Sequence, residues 1–197
     1  MINPYLQHKS KLFLYILLSI VLTSCMSEKT EFSTVLDKPI PLSNFSLIAN
    51  NGSIFNTESL REKWSLLFFG YTHCPDVCPL TLHQLSQANK ELKSSIEHLP
   101  NIIMISVDPD RDTTEILDKY VTAFAGNVIG ASGSIAEIKK LTDQLGIFFE
   151  AHKNEGENYS VSHSAAVILI NKEAEFHAIF SAPHNTDHFI KDLPKIL

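Results

Sequence analysis

Apolar residues come along this chain in two rhythms, short unbroken runs and stripes spaced by three or four, and the two alternate. Residues 64–69 form an apolar run that ends at Gly70 and predicts a buried strand. Leu85, Ala88, Leu92, Ile96 and Leu99 then mark one face of a helix across 80–99, which Pro100 and Asn101 end. Residues 102–107, rich in Ile and Val, are a second buried run, so strand, helix and strand make a βαβ unit. After an Asp-rich loop, Thr113 or Asp112 is placed to cap a helix carrying Ile116, Leu117, Tyr120, Val121 and Phe124. Val128 and Ile129 predict a small strand and 130–133 a turn. Ser134 with Glu137 reads as a capping box for a helix bearing Ile135, Ile138, Leu141 and Leu145, stopped by Gly146. Residues 147–150 are a further strand, 152–159 a polar loop, 165–170 and 175–180 an antiparallel hairpin around a turn at 171–174, and 186–193 a last helix. Ahead of all this, 45–48 and 53–55 flank Asn50-Asn51-Gly52 and predict a hairpin with a type I′ turn, and 57–62 a short helical turn.

Composition changes the picture mainly at the front of the chain. With 197 residues, 44% hydrophobic and 19% charged, there is enough sequence for one globular domain and something before it. Residues 1–25 carry Lys9 and Lys11 and no acid, run apolar over 12–22, and end Leu22-Thr23-Ser24-Cys25, the order of an export signal. As a helix the apolar run reaches only about half of a hydrocarbon core of roughly 30 Å. Its ending resembles the bacterial lipobox, in which the chain is cut before the Cys and the thiol takes a diacylglycerol; an uncleaved signal anchor is the alternative. The polar residues 26–38 are expected to be a tether and 39–197 the folded domain.

Net charge is -6, and removing Lys9 and Lys11 with the signal takes the mature part near -8, so nucleic acid is not an expected partner. Setting Cys25 aside leaves two of the three cysteines, Cys74 and Cys78, as a pair in an exported, oxidising compartment. They sit in Gly70-Tyr71-Thr72-His73-Cys74-Pro75-Asp76-Val77-Cys78-Pro79, on the turn from the first core strand into its helix. Backbone N–H groups and the helix dipole at such a turn are expected to favour thiolate, and a three-residue spacing lets both sulfurs face one point. Such a pair can close a disulfide or grip a soft metal ion.

The order of elements resembles the thioredoxin arrangement, an α/β fold, here enlarged by an N-terminal β hairpin and a central insertion. More specifically, the stretch 64–82, WSLLFFGYTHCPDVCPLTL, with 105–112, ISVDPDRD, and 161–164, VSHS, resembles the Sco/SenC family. These are membrane-tethered, copper-binding proteins that help assemble the binuclear copper centre of cytochrome c oxidase. The resemblance implies Cys74, Cys78 and His163 as ligands for copper, as Cu(I) or Cu(II), with His73 left out, and His163 standing where a thioredoxin has its cis-proline. Two soft thiolates and an imidazole suit both oxidation states. Asp108, at the same end of the sheet, is expected either to orient a ligand from behind or to cap a helix. Asp76 is expected to cap the cysteine helix or to set local charge. Ser162 stands where the family commonly has Asp, which puts the tuning of the site in question. Phe148 and Phe149 read as core rather than docking surface.

The implied function is a copper chaperone that takes copper from a donor protein and passes it to the oxidase subunit carrying the binuclear site. It would work at the bacterial cell envelope, facing the periplasm or cell exterior and anchored by lipidated Cys25. The alternative is a thiol-disulfide reductase in which Cys74 attacks and Cys78 resolves; a copper or redox sensor is a third reading.

Overall fold

The structure, a computed structural model, describes residues 29–126, 128–153 and 158–197. The predicted βαβ unit is its centre. Strand β4 (Ser65–Gly70) pairs in parallel with β5 (Asn101–Ser106), and helix α1 (Val77–Leu92) connects them. Every residue of β4 is buried, which is why the run shows no alternation. Helix α1 ends at Leu92, earlier than its stripe suggests. Ser95 and Ile96 both return their N–H to the Leu92 carbonyl, and Ile96 and Leu99 reach the core from the loop that follows.

Parallel pairing continues to β6 (Ile129–Ser132) through α2 (Thr114–Val121), whose N-cap is Thr113. Gly130, expected in a turn, lies inside β6. A Cβ there would come within 3.1 Å of Val121 and 3.4 Å of Leu117, so the glycine marks where α2 lies close on the sheet. Helix α3 (Ile135–Leu145) begins at Ser134, whose side chain accepts from the Glu137 N–H, and stops at left-handed Gly146. The Glu137 carboxylate does not complete the box; it accepts from the Ser46 N–H and ties α3 to β2 (Ser46–Ala49).

On the other side of β4 come β9 (Val167–Ile170) and β10 (Glu175–Phe180), the expected hairpin, both antiparallel to their neighbours. Helix α4 (Thr186–Ile196) follows and packs beside α1. The N-terminal hairpin of β2 with β3 (Ile54–Asn56) joins the far edge through β6. Its connection is not type I′. Asn51 stays at negative φ, only Gly52 is left-handed at +82°, and the Gly52 N–H bonds the Ala49 carbonyl.

The eight-stranded order is β1-β10-β9-β4-β5-β6-β2-β3, and its first member corrects an expectation. Strand β1 (Ser33–Pro41) runs antiparallel to β10 through what composition suggested was tether. It is a bulged edge strand, with register shifting between Val35 and Ile40, so no alternation survives to be read. The entering backbone is fixed by Asp192 of α4, whose fully buried carboxylate accepts from the N–H groups of Glu31 (2.9 Å), Phe32 (2.7 Å) and Ser33 (2.8 Å) and from the Ser33 hydroxyl (2.9 Å). The expected signal, Cys25 included, lies outside the described residues, as does the start of the tether. No helix among the described residues is long and apolar enough to cross a membrane.

Candidate metal and thiol site

The two cysteines stand where the sequence puts them, on the turn between β4 and α1, but in unequal surroundings. Cys74 precedes the helix, bonds its N–H to the Tyr71 carbonyl and is half-buried; Cys78 is the second helical residue and fully buried. Both are free thiols. Asp76 occupies the N-cap position yet makes no side-chain cap, so of the two expected roles only the electrostatic one is open to it. The glycine ahead of the turn is a packing requirement, since a Cβ on Gly70 would lie 2.7 Å from the Cys78 sulfur.

The expected thiolate bias does not hold for Cys78. Burial pushes its thiol pKa well up, the hydrogen bond and charge of neighbouring Cys74 push the same way, and the Tyr71 backbone only partly opposes them. Helix-end electrostatics lose to desolvation here because the sulfur is sealed from water.

His163 arrives from a separate piece of structure. Residues 149–151 form β7 (Phe149–Ala151), which pairs antiparallel with β8 (Val161–His163) in a two-stranded ribbon outside the main sheet. The ring Nδ1 lies 3.0 Å from the Val161 carbonyl, which assigns the proton to that nitrogen. Nε2 is left facing the Cys78 sulfur at 3.6 Å. Tyr71 packs edge-on against the imidazole, with ring centroids 5.7 Å apart.

At zinc-like bond lengths of about 2.3 and 2.0 Å, a thiolate and an imidazole on one tetrahedral ion stand about 3.5 Å apart. The Cys78–His163 pair, at 3.6 Å, is close to that spacing. Cys74 adjoins Cys78 but makes no hydrogen bond to His163, and among the described residues no three His, Cys, Asp or Glu side chains form a finished metal cage. Thus two edges of the triangle are set and the third depends on the half-exposed Cys74.

Asp108 does not orient a ligand directly, and it does not cap α2. Its buried carboxylate is taken up by Arg111 Nε at 2.6 Å and the Tyr159 hydroxyl at 2.5 Å. The Arg111 guanidinium lies 3.6 Å over the Tyr159 ring and 5.7 Å over that of Tyr71. Asp108 therefore reaches His163 only through three contacts, Asp108 to Arg111, Arg111 to Tyr71 and Tyr71 to the imidazole. Burial, then the hydrogen bond to Asp108, push the Tyr159 phenol up to about 12. Tyr159 falls in the expected polar loop, and nothing in its neighbours' polarity signals the buried carboxylate it serves. Tyr159→Phe removes one donor from that carboxylate and should cost about 1–2 kcal/mol in urea unfolding; an unchanged midpoint would show that the clamp contributes nothing.

Asp112 is the functional residue the sequence concealed. It is buried and accepts from the Thr72 N–H (2.9 Å), the Thr72 hydroxyl (2.6 Å) and the Ser106 hydroxyl (2.5 Å), lashing the cysteine turn to β5. Asp108, Asp110 and Asp112 stand at every second position ahead of one helix, and the sequence offers no means of choosing which of them turn inward. Ser162 alternates with His163 along β8, so its side chain points to the opposite side, where its hydroxyl meets His152 Nε2 at 2.7 Å. Ser162 therefore makes no contact with the Cys74, Cys78 and His163 side chains among those described. His73 is exposed, and its Nδ1 meets the Thr72 hydroxyl at 3.1 Å and lies 3.8 Å from the Asp112 carboxylate. Phe149 packs against the core as expected, whereas Phe148 is 58% exposed beside the ribbon, because its backbone, bonded both ways to Ser164, turns the ring outward.

A parallel βαβ core delivering a cysteine pair to a helix start, completed by an antiparallel hairpin and a last helix, defines a thioredoxin-like protein. The chain belongs to the SCO1/SenC family, whose model matches residues 36–197. A SCO2-like protein of Rickettsia prowazekii is 36% identical over 166 residues, 83% of this chain and 80% of that one. Among solved structures, Arabidopsis thaliana ScoI with copper bound is 33% identical with a TM-score of 0.74, covering 78% of this chain and 95% of that one. The solution structures of apo Sco1 from Thermus thermophilus give 33% identity and a TM-score of 0.76 over 88% and 100% of the two chains.

Proposed function

We propose that this protein is a copper chaperone of the bacterial cell envelope, holding copper on Cys74, Cys78 and His163 and delivering it to the binuclear copper site of cytochrome c oxidase during assembly. The observation that carries the reading is the 3.6 Å approach of His163 Nε2 to the Cys78 sulfur, with the Cys74 thiol alongside. A relative of 33% identity has been crystallised with copper, and the family resemblance supplies the oxidase subunit as acceptor and a separate protein as copper donor. Two thiolates grip Cu(I), the imidazole extends the set to Cu(II), and the exposed side of Cys74 leaves a direction from which an acceptor's ligands can enter. Membrane attachment is assigned to a lipid on Cys25.

One observation favours a second reading. A half-exposed thiol beside a buried one is the asymmetry of an attacking and a resolving cysteine. In that chemistry the Cys74 thiolate attacks a disulfide of the oxidase subunit, Cys78 then attacks the Cys74 sulfur, and the subunit leaves with both thiols reduced while Cys74 and Cys78 become joined. His163→Ala separates the two. On the chaperone reading, Cu(II) uptake by the soluble domain is lost, Cu(I) affinity falls, and oxidase assembly fails in cells. Assembly that survives His163→Ala with copper uptake gone would hand the protein to the reductase reading.

A further inference from the structure

One residue touches all three of those assigned to copper. Tyr71, buried between Gly70 and Thr72, accepts the Cys74 N–H on its carbonyl at 3.2 Å, directs its own N–H at the Cys78 sulfur and sets its ring edge-on against the imidazole of His163. Both of its neighbours in the chain are fixed. The Gly70 carbonyl accepts from the Val107 N–H at 2.9 Å, and Thr72 is held by the buried Asp112 carboxylate. Tyr71 is therefore a firm post on the main body of the fold, standing beside a ribbon that shares no pairing with the eight-stranded sheet.

The register of the ribbon shows what the post can hold. Phe148 with Ser164 and His152 with Ser160 are bonded pairs, so alternation makes Val161, opposite Ala151, a non-bonded position whose N–H and C=O both point away from β7. Its carbonyl takes the His163 Nδ1–H at 3.0 Å. Its N–H is directed at the Tyr71 phenol oxygen. Val161, gripped at both of its backbone groups, thus joins the phenol to the imidazole. A neutral imidazole carries one proton, and only the Nδ1–H form leaves the Nε2 lone pair free for a metal.

We infer that Tyr71 is a positioning residue that sets which oxidation state of copper the site holds: its hydroxyl fixes Val161, Val161 fixes the place and tautomer of His163, and the imidazole so placed is what Cu(II) requires beyond two thiolates. The inference rests on the copper reading proposed above. Removing the hydroxyl leaves both sulfurs where they are, so Cu(I), which the thiolates grip, is affected far less than Cu(II).

The test uses the full chain in detergent, reduced and metal-free, with isotope-labelled histidine and valine, the His163 ring signals being identified by their loss in His163→Ala. Nitrogen NMR of the wild type should show a protonated Nδ1 and a bare Nε2 on His163. Tyr71→Phe, which keeps the ring, should mix in the other tautomer and speed exchange of the Val161 amide by about tenfold. On titration with copper it should weaken Cu(II) binding by about tenfold, with a much smaller loss for Cu(I) and none beyond that of His163→Ala when the two substitutions are combined. A protonated Nε2 in the metal-free wild type overturns the inference without any variant, and wild-type tautomer and exchange in Tyr71→Phe overturn it as well. So does an equal loss of Cu(I) affinity with and without His163, which would place the effect on the cysteines. Wild-type protein that takes up neither ion overturns the copper reading and the oxidation-state role with it, while the tautomer and the amide still decide whether Tyr71 positions His163.

Discussion

Gly70→Ala should cripple the site without touching a ligand. The backbone at Gly70 is ordinary extended strand, so alanine is not excluded by φ; what excludes it is that the new methyl would fall 2.7 Å from the Cys78 sulfur and 2.9 Å from the Phe68 ring. Both neighbours are fully buried and neither has room to withdraw. The expected cost is about 1–3 kcal/mol of folding stability from overpacking. A displaced Cys78 sulfur also loses its 3.6 Å approach to His163, so copper affinity should fall by about 10- to 100-fold. Urea unfolding and a Cu(I) competition titration measure the two effects separately. Wild-type values in both would mean that the close approach of Gly70 to the sulfur has no bearing on the site.

Asp192→Ala should produce a large loss of stability at a position remote from the cysteines. Three backbone N–H groups and a hydroxyl converge on this carboxylate, and removing it leaves them with no protein acceptor, at a cost of about 3 kcal/mol. The interaction also has a pH signature. Burial works to raise the Asp192 pKa, but the hydrogen bonds from Glu31, Phe32 and Ser33 outweigh it and hold the carboxyl below its usual range. A depressed folded-state pKa means that the stabilisation is complete above the unfolded-state value of about 3.9 and disappears as pH falls through the lower folded value. Wild-type protein should therefore lose stability below about pH 4 more steeply than Asp192→Asn, which starts lower at neutral pH and titrates nothing at this position. Parallel acid profiles for the two would remove Asp192 from the account of how β1 is held.

What the sequence disclosed and what it hid divide along a physical line. The buried runs of β4 and β5, the helix stripe of α1, the caps at Thr113 and Ser134 and the stop at Gly146 are local signals, each written in adjacent residues. The cysteine pair was legible for the same reason, and His163 became so through the family resemblance. Edge strand β1 was not, because a bulge and a solvated face erase alternation, and its fixing by Asp192 joins residues about 160 positions apart. Asp108, Asp112 and Tyr159 were hidden likewise: a buried carboxylate is chosen by distant donors, and composition cannot say which Asp of a run turns inward. The raised Cys78 pKa follows from three-dimensional enclosure, which the helix-end position alone does not report.

His163 rides on a ribbon of two three-residue strands that shares no pairing with the eight-stranded sheet. A pair of strands this short has little stability of its own and stays in place through contacts at its margins, chiefly the Tyr159 hydroxyl on Asp108, the Ser164 N–H on the Phe148 carbonyl and the Phe148 N–H on the Ser164 hydroxyl. On the copper reading, the coordination sphere is thus shared between a rigid jaw and a hinged one. On that reading, an acceptor that displaced the ribbon would withdraw the imidazole first and leave the cargo on two sulfurs, one of them open to the newcomer, so the order of ligand exchange would follow from which parts of the fold can yield.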